Sequence, residues 1–222
     1  GLVAVLPAPV RALLLRPLPG EALVTGRVRE SVEQTAHLRA GAFLRALHAL
    51  PDVDHDPLPL RAAVQQRYAA WLARVSPRLT AVEANHLRGL GEALDAAPGL
   101  FARARRVPCH RDFTPGNWLV DGPVVDGQIS RIDGFFVVDF EHAKLDCPLL
   151  DLVKLWTEVW GERPDLEAAF FAGYGRTLGP DERLELQVLA AMHAMATVAW
   201  AHDHADPAFA TLGARALRRV LG

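Results

Sequence analysis

The sequence predicts a mainly helical α+β fold, on three observations. Apolar residues recur at helical spacing from Arg29 to Ala96 and again from Leu149 to Leu221. Between these stretches lie short apolar runs, Trp118-Leu119-Val120 and Phe135-Phe136-Val137-Val138, separated by Asp121-Gly122 and Asp126-Gly127. That is the pattern of a small β-hairpin region. Two more short apolar runs open the chain. The order of strands, helices, hairpin and helices suits half of a two-lobed enzyme better than a complete α/β domain.

Val3-Ala4-Val5-Leu6 and Ala12-Leu13-Leu14-Leu15 read as two buried strands on either side of a turn containing Pro7 and Pro9. Pro17-Leu18-Pro19-Gly20 then breaks regular structure. From about Arg29, Val32, Ala36, Phe43, Leu44, Leu47 and Leu50 fall near a period of 3.6 and predict a helix. Pro51 to Pro59 reads as a loop. Helices are expected over Leu60 to Val75 and Ala81 to Ala96, punctuated by Pro77 and Pro98. Val107 leads into a polar loop and the hairpin region. The remaining helices are Leu149 to Trp160, Asp165 to Tyr174, Asp181 to about His202, and Pro207 to Leu221. Asp165 and Asp181 stand where helix-start residues belong.

Composition narrows the function. The 222 residues are 50% hydrophobic and 23% charged, with net charge -2, so no basic field points to nucleic acid or an anionic membrane. No apolar run reads as long enough to cross a bilayer, and Leu2 to Leu15 lacks a basic leader and is interrupted by Pro7, Pro9 and Arg11. Cys109 and Cys147 are read as thiols in a reducing, cytoplasmic setting. The first residue is Gly1, so the chain is expected to begin inside a longer protein or after removal of a segment.

The chemistry concentrates in one segment. His110-Arg111-Asp112-Phe113-Thr114-Pro115-Gly116-Asn117 fits the H-R-D-x-x-x-x-N loop of kinases, and Val138-Asp139-Phe140-Glu141 stands where their metal-binding D-F-G stands. Phosphoryl transfer needs an in-line hydroxyl, a proton acceptor beside it and a divalent cation across the phosphates. Asp112 suits the acceptor role. Asn117 offers an amide oxygen and Asp139 a hard carboxylate oxygen, both suited to Mg²⁺. Pro115-Gly116 allows a tight bend between them. His110 is read as scaffold rather than acid or base, and Glu141 as either a second metal contact or surface.

With these residues in place, the chain resembles the C-terminal lobe of the aminoglycoside phosphotransferase and choline kinase-like family. Asp112 followed by Pro115-Gly116-Asn117 is similar to that family's H-G-D-x-x-P-G-N loop, with Arg111 in place of the usual Gly. Leu14-Leu15-Arg16-Pro17-Leu18-Pro19-Gly20-Glu21 resembles its hinge, Phe43-Leu44-Arg45-Ala46-Leu47-His48 its L-x-x-L-H helix, and Pro148-Leu149-Leu150-Asp151-Leu152 its P-x-x-D-L segment. Cys147 stands where an acidic residue often precedes the Pro, with Asp146 one place earlier. The resemblance implies the C-terminal lobe of a protein-kinase-like fold. Residues 1–20 would be the last N-lobe strands and hinge, and 21–222 the helical lobe. It implies ATP and Mg²⁺ as cofactors and a small-molecule hydroxyl acceptor, with no nucleic acid and no membrane among the partners.

The resemblance also places the adenine near Arg16 and Leu18, with Leu119 and Val138 as an apolar floor; core packing is the competing reading for the last two. No lysine precedes Lys144 and no Gly-rich phosphate loop precedes the hinge, so residues 1–222 alone are expected to be inactive or nearly so. Glu158, Glu162, Asp165, Asp203 and Asp206 are candidates to line a cationic acceptor site, with plain surface charge as the alternative. Trp156, Trp160 and Trp200 could form an aromatic box, though core packing explains them better. His202-Asp203-His204, with His193, could suggest a metal hydrolase, but adjacent residues splay around a helix and a helix end before Pro207 explains them better. A kinase-fold module without catalysis is the alternative function.

Overall fold

The computed structural model describes residues 2–6, 12–23, 28–51 and 56–222, with backbone only for 2–6 and 12–15. The expected turn at Pro7 and Pro9 and part of the loop before Pro59 lie outside the described residues. In chain order the elements are β1 (Leu2–Leu6), β2 (Ala12–Leu15), β3 (Glu21–Ala22), α1 (Glu30–His48), α2 (Leu60–Val75), α3 (Ala81–Ala96), β4 (Val107–Cys109), β5 (Trp118–Asp121), β6 (Val124–Val125), β7 (Gln128–Ile129), β8 (Gly134–Val137), β9 (Lys144–Asp146), α4 (Leu150–Glu158), α5 (Pro164–Tyr174), α6 (Pro180–His204) and α7 (Pro207–Leu221). The mainly helical α+β expectation holds, and every predicted helix is present.

The chain forms two compact units, Gly1–Ala36 with Pro115–Val138, and His37–Thr114 with Asp139–Gly222. In the first, β1 and β2 pair antiparallel, and β3, β5 and β8 form a three-stranded sheet in that order. The sheet register sets Leu119 opposite Phe136 and Trp118 opposite Val137. Trp118 and Val120 are buried while Leu119 and Asp121 are half-buried, the alternation a strand imposes. β6 and β7 close a tight hairpin through Asp126 and Gly127, both at positive φ.

The second unit is built around α6. Its residues Val188, Leu189, Ala190, Ala191, Ala194, Met195 and Ala199 are all fully buried, so the helix is apolar on nearly every side and is wrapped by α2, α4 and α7. By length and mean hydropathy (1.3) α6 also meets the criterion for a membrane span, which amends the sequence expectation. Two thirds of that window (67%) is already buried inside the protein, as in a core helix.

Pro, not Asp, starts two of these helices. Asp165 and Asp181 were expected at the caps, but Arg163 and Gly179 hold those positions and Pro164 and Pro180 open the first turns. Proline costs nothing there, because that N–H has no helical partner anyway. Asp206 does cap α7, accepting from the N–H groups of Ala208 and Phe209.

α1 and α5 cross at van der Waals contact of their backbones, through Gly41 and Gly173. A Cβ on Gly41 would lie 2.0 Å from the Phe170 carbonyl oxygen, and one on Gly173 1.8 Å from that of Leu38. Gly173→Ala is therefore expected to cost about 3 kcal/mol or more, since backbone on the other side cannot yield as a rotamer does; urea unfolding measures it.

α6 also carries a buried carboxylate. Glu185 is 7% exposed and accepts the N–H of Phe101, a residue at φ +57. Burial pushes its pKa above the ordinary 4.5, and the Phe101 hydrogen bond offsets part of that. The folded state thus disfavours ionisation. Glu185 contributes fully below pH ~4.5, and that contribution is lost as pH rises through the folded pKa. Glu185→Gln keeps an acceptor for Phe101, so melts at pH 4.5 and pH 8 should show the variant gaining on wild type at the higher pH.

Candidate functional site

Two short strands that the sequence did not reveal organise the motif. β4 pairs with β9, with Cys109 opposite Lys144 and Val107 opposite Asp146. The His110–Asp112 segment therefore leaves the same end of the ladder at which the Asp139–Ala143 segment arrives. Ring contacts confirm their proximity: His110 and Phe140 centroids lie 4.5 Å apart, and Phe43 of α1 stacks on Phe113 at 6.1 Å. His110 is fully buried between these rings, and its Nδ1 accepts the N–H of Asp112 at 3.3 Å. It is a scaffold residue, as the sequence indicated.

The loop backbone is clamped by α4. Asp151, 1% exposed, accepts the N–H of His110 at 3.0 Å and that of Arg111 at 2.5 Å. His48 at the end of α1 sits 3.0 Å from the same carboxylate through Nε2, and its Nδ1 is 3.0 Å from the Tyr174 hydroxyl. With the imidazole neutral, Nε2–H donates to Asp151 and Nδ1 accepts from Tyr174, whose proton burial helps retain. The sequence singled out the segments ending in His48 and containing Asp151, but not that they meet.

Arg111 has φ +67, the left-handed region in which glycine is free and other residues are strained by about 1 kcal/mol. That explains physically why glycine suits this position. The guanidinium Nε lies 3.6 Å from the buried Asp146 carboxylate, at ion-pair distance but beyond hydrogen-bond reach. Arg67 already holds the same carboxylate with two bonds of 3.2 Å. The two departures from the family pattern, Arg111 and the displaced acid Asp146, are thus in contact with each other.

Asp112 is half-buried and its Oδ1 pairs with Lys154 Nζ of α4, a residue the sequence reading did not single out. Asp139 is exposed and sits at φ +64. Among the described residues it has neither a hydrogen-bond nor an ion-pair partner. A strained backbone presenting an uncommitted carboxylate fits a cation ligand, because a hard metal takes oxygens that nothing else holds. Asn117 belongs to the first unit, where it ends a 3₁₀ turn at Pro115–Asn117 and its carbonyl accepts the N–H of Val138 at 3.0 Å. That bond registers the residue before Asp139. Leu119 and Val138 are half-buried in the first unit, and Arg16 and Leu18 are exposed there, in the extended segment after β2.

Most of the other candidates are otherwise occupied. Asp203 pairs with Arg74 and Arg78, Asp165 with Arg163, and Glu162 approaches Arg215 at 3.8 Å. Asp206 is spent on its cap. Glu158 faces His193 at 3.9 Å. Trp160 is core, packed on Phe170 and Phe171 at 5.1 and 5.5 Å, while Arg219 covers the Trp156 ring at 4.7 Å and Trp200 stacks on His204 at 4.1 Å. They form no common box. Among the described residues, His202, Asp203, His204 and His193 do not bring three ligand atoms together. His48, Cys109 and Asp151 do converge, within 4.8 Å. Burial, and next the charge of Asp151, push the Cys109 thiol far up, and it lies in hydrogen-bond reach of the Val107, Asp146 and Cys147 carbonyls. Within the trio His48 and Asp151 bond to each other, while Cys109 turns its thiol to backbone carbonyls.

Residues 4–189 match the sequence model described as the phosphotransferase enzyme family. No curated relative matches the chain. Among solved structures, aminoglycoside 2'-phosphotransferase-IIIa in complex with GDP superposes at TM-score 0.69 with 15% identity, over 93% of this chain and 69% of that one. Spectinomycin phosphotransferase in complex with ADP and spectinomycin gives 0.57 at 13%, over 92% and 69%. A choline/ethanolamine kinase family protein from Mesorhizobium loti gives 0.56 at 22%, over 100% and 78%. At these identities the likeness establishes the fold, which is that of kinase-like phosphotransferases.

Proposed function

Because the chain belongs to the phosphotransferase enzyme family, we propose that it transfers the γ-phosphoryl group of ATP to a hydroxyl of a small molecule. The observation that carries the reading is the loop at Asp112: its backbone is clamped by Asp151, and the segment bearing Asp139 meets it at the end of the same ladder. Asp112 is the general base. It takes the acceptor's hydroxyl proton as the acceptor oxygen bonds to the γ-phosphorus. The bond from that phosphorus to the bridging oxygen breaks, and ADP leaves with the electron pair. Asp139 and, from the motif, the Asn117 amide would hold Mg²⁺, which neutralises charge on the phosphates. Arg16 and Leu18 would border the adenine, with Leu119 and Val138 beneath it. The reading sets the protein in the cytoplasm, where ATP is.

The charge reading of the acceptor is narrower than the sequence suggested. Four of the five acids considered are committed to arginines or a helix cap, which leaves Glu158 as the acid best suited to an amino group on the acceptor. Residues 1–222 carry no lysine before Lys144, so this stretch by itself is expected to be nearly inactive; the second reading is a kinase-fold module without catalysis. ADP release from the full-length protein against aminoglycosides, macrolides, choline, amino sugars and homoserine separates the two. Acceptor-dependent release supports the enzyme; none with any acceptor supports the module.

A further inference from the structure

Asp112 is not positioned by its own loop alone. Asp151 and Lys154 are three residues apart on α4 and so share one face of that helix. Asp151 accepts the backbone N–H groups of His110 and Arg111, and Lys154 Nζ pairs with Oδ1 of the very next residue, Asp112. One helix face therefore grips three consecutive residues of the loop, the first two by their backbone and the third by its side chain. The two charged groups are 31% and 23% exposed, so solvent screens them and the pair adds little to stability. What the contact supplies is direction. With Oδ1 tied to the ammonium, rotation of the carboxylate about its last bond is stopped and its second oxygen has a set orientation.

We propose that Lys154 is a positioning residue for phosphoryl transfer: it orients the Asp112 carboxylate towards the acceptor hydroxyl and keeps it in the ionised, proton-accepting form. The proposal rests on the phosphotransferase reading given above. Lys154 comes from a helix 42 residues beyond Asp112, a separation that hides the pair from any reading of the loop alone. The ammonium cannot itself take the acceptor's proton while it is charged, so it acts through Asp112. Arginine at this position would preserve the charge and a donor; methionine would preserve the stem and remove both.

The test compares wild type with Lys154→Met and Lys154→Arg. Carbon-detected NMR titration of the Asp112 carboxyl in the isolated chain should show its midpoint moved up in K154M and nearly restored in K154R. An unchanged Asp112 titration in K154M overturns the proposal. In the full-length protein, K154M should lower kcat about 10-fold with the nucleotide KM unchanged, and should move the acidic limb of the pH–kcat profile upward. A kcat that rises in K154M overturns it as well, since the contact would then be blocking the base. Asp112→Asn is the separate control. If that variant keeps wild-type turnover, the phosphotransferase role of Asp112 fails, while the carboxyl titration still decides whether Lys154 controls its ionisation.

Discussion

Asp112→Asn lowers acceptor-dependent ADP release by about 10²–10⁴-fold in the full-length protein, with little change in melting temperature. That range is what a positioned general base contributes, and an amide cannot accept the hydroxyl proton. Stability is spared because the side chain is half-buried and the Asn amide still occupies the same volume beside Lys154. KM for the nucleotide should stay within about 2-fold, because an interaction made only in the transition state lowers kcat and kcat/KM together. Steady-state kinetics with a saturating acceptor, alongside thermal melts, checks both halves of the expectation.

The second large effect falls on Asp151, and it is one of stability. Its carboxylate is 1% exposed and satisfies the N–H groups of His110 and Arg111 together with His48. Asp151→Ala leaves two buried backbone donors and a buried imidazole without their acceptor. Each such loss costs about 1–3 kcal/mol, and the three fall together in one buried cluster. Urea unfolding should place the variant about 4 kcal/mol below wild type. Asp151→Asn keeps one acceptor oxygen and should lose roughly half as much. A variant that unfolds like wild type would mean that the loop is held by its own contacts and not by α4.

The helices were legible because their signals are local. The apolar face of α1 at Val32, Ala36, Ala40 and Leu44 recurs every four residues, and Pro164, Pro180 and Pro207 mark first turns. The starts are less legible, because an Asp at the second helical position, as at Asp165 and Asp181, resembles a cap in sequence. The β4–β9 ladder was not legible. Its strands are three residues long, one contains Pro108, and the partners lie 35 or more residues apart, so neither carries a period. The candidate base was legible from the motif alone. Its supports were not: Lys154, Asp151 and His48 reach the loop from distant helices, and only folding brings them there. The acidic residues near the C-terminus misled in the opposite way. Apart from Arg163 beside Asp165, their arginine partners, such as Arg74 and Arg78 for Asp203, are far off in sequence and carry no local signal.

The assignment of the site as a metal–nucleotide centre is tested most directly by titrating Mn²⁺ into the full-length protein with ATP and following free Mn²⁺ by electron paramagnetic resonance. Wild type should bind the ion in an ATP-dependent manner. Asp139→Asn should weaken that binding about 10-fold or more, while Asp203→Asn should leave it unchanged, since Asp203 is held by Arg74 and Arg78. Equal Mn²⁺ affinity in wild type and Asp139→Asn would contradict the assignment.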